Sequence, residues 1–118
     1  MIGVTAALFE AGVQAADTAP PKSSAQAIMQ GKTTFDHFCS ACHGHDGKGG
    51  LGEELPVTPA DLTSGQWKYG GSDEQIFHTI RKGVPPQFYM PAWEEQISES
   101  DTWNLVFYIR SLAKAPSP

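Results

Sequence analysis

The chain has 118 residues, enough for one small domain, and sets 8 Lys+Arg against 13 Asp+Glu for a formal net charge of −5. Its charges are scattered and no basic run occurs, which argues against nucleic acid as a partner. No stretch of about 20 apolar residues is present, so no transmembrane helix is predicted.

The first 24 residues differ from the rest. "MIGVTAALFEAGVQAADTAP" is rich in small and apolar residues, and Val13 to Ala15 resembles the small-residue site where a signal peptidase cuts. A charged start is missing, and Glu10 interrupts the apolar run. Residues 1–24 are read as an export-signal remnant and flexible leader, and residues 25–118 as the domain. Export implies a periplasmic or otherwise extracytoplasmic location.

Ser24 is placed to cap a first helix over about 25–41. Ile28, Gly31, Phe35 and Phe38 recur at helical spacing and give it one buried face. Glycine inside a helix costs about 1 kcal/mol relative to alanine, so Gly31 predicts the close approach of another helix. Gly44 to Gly71 is loop-like, beginning with four glycines in the seven residues "GHDGKGG". A second helix fits Asp73 to Lys82, with Ser72 and Gln75 as a capping box and Ile76, Phe77 and Ile80 facing inward. Gly83 and Pro85 stop it. "VPPQFYMPAW" is a stiff loop with three prolines, and a strongly apolar last helix runs from about Glu99 to Ala113 behind Ser98. No alternating run is long enough for a strand, so the expected fold class is all-α.

Apolar residues make up 40% of the chain, diluted by 12 glycines and 9 prolines. A domain this small buries only about 60–70% of its unfolded surface. A large apolar cofactor would complete its centre.

Both cysteines lie in "CSACH", Cys39 to His43. On a helix Cys39, Cys42 and His43 share one face, so two thiols and an imidazole aim at one object. A structural zinc site wants four ligands, usually in two separated pairs, and no second cysteine pair exists. A thioredoxin-like dithiol needs strands around a CxxC at a helix start, whereas this pair ends a helix. A Cys39–Cys42 disulfide with no further role is the bland alternative. CxxCH is also the signature of c-type haem attachment, with thioethers from both cysteines and the histidine below the iron.

A second axial ligand must come from the other face. Met29 lies on the helix that carries Cys39, about 15 Å away along its axis. His37 and His45 are tied to the same side. His78 and Met90 remain. Met90 precedes Pro91, which biases it away from helical geometry, and the neighbouring prolines stiffen its loop. Met90 is the preferred ligand and His78 the reserve.

Residues 26–113 resemble class I cytochromes c. "CSACHG" resembles the attachment motif, "MPAW" the methionine-ligand segment, and "SDEQIFHTIRKGVP" the helix that leads into it. Gly31 and Phe35 match the first helix of that family, and Leu105 and Tyr108 match its last. The resemblance implies a small helical fold wrapped around one covalently attached haem c, with Cys39 and Cys42 as thioether donors and His43 and Met90 on the iron. It implies a carbonyl partner for the free N–H of His43; here the Gly-Pro of many relatives is replaced by "GLGEELP", so Pro56 or a carbonyl near it is the expected acceptor. Trp67 is a candidate donor to a haem propionate, Trp93 a wall residue, and Tyr89 a neighbour of the ligand. Lys48, Lys68, Arg81 and Lys82 are candidates for the rim of a docking face.

Iron with both axial sites filled exchanges an electron and has no open position for substrate, and a methionine ligand favours Fe(II). The expectation is therefore a monomeric electron carrier, not itself an enzyme, with a redox donor and acceptor as partners. The alternatives are a haem subunit or domain of a larger dehydrogenase or oxidase complex, and a haem-based gas sensor or peroxidase.

Overall fold

A computed structural model describes residues 21–51 and 55–113. The export-signal reading of residues 1–15, and the leader up to residue 20, lie outside the described residues. Helices α1 (Ala25–Phe38), α2 (Ser40–His43), α3 (Asp73–Lys82) and α4 (Glu99–Leu112) follow in chain order, and no strand occurs among the described residues.

Each long helix starts on a serine whose side chain accepts a backbone N–H three residues on: Ser24 from Ala27, Ser72 from Gln75, Ser98 from Asp101. These bonds satisfy donors that a helix start leaves unpaired. At α3 the Gln75 side chain returns the bond to the Ser72 N–H, closing the box the sequence predicts. Asp73 and Glu74 occupy its first turn and Arg81 and Lys82 its last, both favourable to the helix dipole.

The expected first helix over 25–41 is divided at Cys39. There φ widens to −113°, and the Ser40 Oγ donates to the Asp36 carbonyl at 2.7 Å. A side-chain bond to the carbonyl four residues back bends helices. The α2 turn then aims Cys42 and His43 on its own axis.

Helices α1 and α4 cross at Gly31. A Cβ there would collide with the carbonyl oxygen of Asn104 and fall 2.9 Å from the Tyr108 Cβ. The close approach expected from a helical glycine is therefore present. Beside the crossing, the fully buried Phe35 ring lies 5.2 Å from that of Tyr108. Leu105 and Val106 complete the centre, with Ile76 and Ile80 of α3 and Ile97 closing it. On the flank of this core Phe77 of α3 stacks on Trp103 of α4, with centroids 4.2 Å apart.

Candidate haem site

The loop after α2 folds back on the turn that precedes it. Gly49 N–H donates to the His43 carbonyl at 2.7 Å, and Leu51 N–H to the Cys42 carbonyl at 3.2 Å. These bonds satisfy carbonyls that the short helix leaves open. The returning stretch is held by Gly50 N–H on the Pro59 carbonyl and Leu62 N–H on the Gly47 carbonyl. Gly49 has φ +79°, and a Cβ on it would collide with the carbonyl oxygens of Pro59 and Ala60. A left-handed backbone and such close approach both call for glycine.

That approach brings the Ala60 carbonyl to 3.1 Å from the Nδ1 of His43. Of Pro56 and the carbonyls near it, the acceptor is that of Ala60, because the glycine run seats Pro59–Ala60 against the imidazole. Burial pushes the His43 pKa below its usual value, with the Ala60 bond opposing the shift. A neutral ring that gives its Nδ1 proton to Ala60 presents Nε2 as a free lone pair, the form that binds metal. Phe35 stands behind it, with ring centroids 6.5 Å apart.

Cys39 and Cys42 are both half-buried free thiols, unbonded to each other. Burial, aided by the neighbouring Cys42, pushes the Cys39 thiol up to about 12.

Met90 lies half-buried against the core in the loop between α3 and α4. Its carbonyl accepts the Val84 N–H at 3.0 Å, and Gly83 permits this contact, since a Cβ there would meet the same oxygen at 2.8 Å. Beyond it, Trp93 N–H donates to the Ile80 carbonyl at 3.1 Å and Glu94 N–H to that of Arg81 at 3.3 Å. The end of α3 is therefore capped by the methionine segment. Trp93 packs edge-on to Phe38, with centroids 5.6 Å apart. Phe38 adjoins Cys39, so this contact sets "MPAW" beside "CSACH".

The other histidines are placed differently. His78 is exposed on α3, His37 is exposed with its ring edge-on to Phe38, and His45 pairs with Asp36 at 3.0 Å. Trp67 is half-buried against the core beside Gly71. Of the four cationic rim candidates, Lys82 pairs with Glu94, and Arg81 folds inward onto the carbonyl of Ile97. Lys48 is exposed, and Lys68 is exposed beside the Tyr69 ring.

The donor set fits a covalently held haem. Two thiols, a neutral imidazole with a fixed tautomer and a half-buried thioether lie on segments joined by the Phe38–Trp93 contact. Leu51 and Val57 on one loop and Phe88 and Tyr89 on the other remain 40–48% exposed. These side chains flank both ligand segments and suit the apolar edge of a porphyrin.

Fold and site together define a c-type cytochrome domain. Residues 26–109 match the family model described as cytochrome C oxidase, cbb3-type, subunit III, and the chain belongs to that family. It is 33% identical over 90 residues to the cbb3-type cytochrome c oxidase subunit CcoP of Azospirillum brasilense, a match covering 76% of this chain and 30% of that protein. It is 36% identical over 86 residues to the subunit FixP of Azorhizobium caulinodans, covering 73% and 27%. Among solved structures, a chain of the Kuenenia stuttgartiensis reducing HAO-like protein complex superposes with a TM-score of 0.73 at 25% identity, covering 90% of this chain and 52% of that one. The chain thus spans about 30% of the length of the curated relatives it matches.

Membership carries a covalently bound haem c, and Cys39 and Cys42 are the only cysteines in the chain. The expectation of a free monomer is overturned, because these relatives are subunits of an oxidase. The alternative reading, a haem subunit or domain of a larger complex, fits the comparisons better. No described helix is long and apolar enough to cross a membrane.

Proposed function

We propose that this chain is the haem-bearing electron-transfer domain of a larger oxidase assembly, working in an extracytoplasmic compartment. Cys39 and Cys42 would hold the haem by thioethers, and His43 and Met90 would supply the nitrogen and sulfur ligands to its iron. Bound haem iron supplies one-electron exchange; the protein sets its potential by ligation, burial and charge. His43 serves as a neutral imidazole oriented by Ala60. With Met90 also bound, the iron would keep no open position for substrate, so the domain would pass electrons and leave substrate chemistry to other parts of the assembly.

The hydrogen bond from His43 Nδ1 to the Ala60 carbonyl carries this reading, because it fixes the ring nitrogen left for metal. Its position beside two cysteines and across the Phe38–Trp93 contact from Met90 adds support. The test is a reduced-minus-oxidised spectrum of the holoprotein with acid–acetone extraction, together with size-exclusion chromatography of the native extract. Haem that resists extraction and comigrates with an oxidase supports the proposal. Extractable haem, or a cytochrome that elutes alone, refutes it.

A further inference from the structure

Arg81 sits in the last turn of α3, yet its side chain is spent elsewhere. Its Nη1 donates to the Ile97 carbonyl at 2.5 Å and to the Thr102 Oγ1 at 3.2 Å. The guanidinium carbon lies 5.8 Å from the centroid of Phe77. Ile97 and Thr102 are both buried. Thr102 gives its own proton to the Ser98 carbonyl and so receives the Arg81 N–H on a lone pair.

The main chain of Arg81 holds the same segment from its other end, by accepting the Glu94 N–H. Between these grips, Trp93 to Ile97 is a turn whose Trp93 carbonyl accepts from Gln96 at 3.0 Å and Ile97 at 2.9 Å. Met90 lies three residues before that turn and is anchored on its other side by Val84. Lys82 also reaches this segment, through Glu94, but that pair is exposed and solvent-screened. Arg81 grips it from inside.

We infer that Arg81 is a positioning residue for Met90: by clamping the Trp93–Ile97 turn to the end of α3, it determines how firmly the thioether is held on the haem iron. This rests on the reading of Met90 as the axial ligand. A docking role for the Arg81 charge is displaced, since its Nη1 is committed to Ile97 and Thr102 within the domain.

The test compares wild-type holoprotein with Arg81→Leu, Arg81→Lys and Arg110→Leu. Arg110 forms an exposed pair with Asp73 at 2.6 Å, away from the methionine loop, and controls for the loss of a cation. The readouts are the deep-red sulfur-to-iron band of the oxidised protein, the reduction potential, and carbon monoxide binding to the reduced protein. Arg81→Leu is expected to weaken the band, lower the potential and raise the methionine-free fraction about tenfold, the loss of one charge-assisted hydrogen bond. Arg81→Lys keeps a donor and is expected to restore part of the band; Arg110→Leu is expected to leave all three readouts in place. Should Arg81→Leu fail to take up haem, Arg81→Gln decides by the same readouts. If these Arg81 variants lower the melting temperature and leave band, potential and carbon monoxide binding at wild-type values, the inference is overturned. If wild type lacks the band, the ligand assignment itself fails, a result separable from the first.

Discussion

Gly31 of α1 meets the main chain of Asn104 on α4 with no room for a methyl group between them. The two helices also exchange a side-chain bond here, Asn104 Nδ2 to Gln30 Oε1 at 3.2 Å. The crossing is a backbone-to-backbone contact, and the core around Phe35 and Tyr108 depends on that distance.

Gly31→Ala is therefore expected to destabilise the holoprotein by about 1–3 kcal/mol through overpacking. In an unpacked helix the same change stabilises by about 1 kcal/mol. Denaturant titration of both proteins measures the sign, and an increase in midpoint would contradict the crossing geometry.

Gly49→Ala acts at a distance from the iron. It forces a side chain onto a left-handed backbone, costing about 1–2 kcal/mol, and pushes Pro59 and Ala60 away. The His43 Nδ1–H then loses its acceptor, the Ala60 carbonyl, and the imidazole becomes a weaker donor to Fe(III). The reduction potential of the holoprotein is expected to rise while the deep-red band is unchanged. A redox titration with an unchanged potential would show that the Ala60 bond does not tune the iron.

Met90→Ala is expected to abolish the deep-red band, lower the potential and admit carbon monoxide. Met90→His keeps six ligands and is also expected to lower the potential, since imidazole donates more strongly to Fe(III). Persistence of the band in Met90→Ala would assign the sulfur to another methionine; absence of the band from wild type would pass the assignment to His78, which would then have to leave the exposed face of α3.

The Lys82 bond holds the Glu94 carboxyl below its ordinary 4.5. A depressed carboxylate contributes stability that is present above the unfolded value and lost as pH falls through the folded one. The contribution of this exposed pair should therefore fade below about pH 4.5, and more weakly in high salt. Glu94→Gln is expected to flatten that part of the stability-versus-pH curve; an identical acid limb in both proteins would refute it.

Replacing Cys39 and Cys42 together by alanine is expected to give a chain without covalently held haem. Among the described residues of the loop between α2 and α3, Leu62 and Trp67 pack against the core while Leu51, Val57 and Tyr69 are exposed. The thermal transition should broaden and fall. A cooperative transition at the wild-type temperature would show that the three long helices suffice.

What the sequence reveals follows from how local each determinant is. Ser24, Ser72 and Ser98 cap helices within three residues of themselves, so all three starts are legible, and α3 lies where its box and Gly83 place it. Gly31 announces a helix contact because its cost needs a reason. The break at Cys39 hangs on one side-chain bond from Ser40 and leaves no trace in the periodicity. Which carbonyl near Pro56 meets His43 is equally hidden, because an irregular loop has no register; only the glycines at 47, 49 and 50 mark where it doubles back. Arg81 reads as one more surface cation until its distance to Ile97 is known. The likeness to oxidase subunits leaves no short motif of its own, because it is spread over residues 26–109.

The partner of His43 is a main-chain oxygen, which every amino acid possesses. Position 60 can drift through many side chains without altering what the imidazole feels, whereas position 49 cannot drift at all. Selection on the iron's potential should therefore register at a glycine that has no side chain and meets His43 only through the main chain, and leave the side chain of the residue that makes the imidazole contact free to vary.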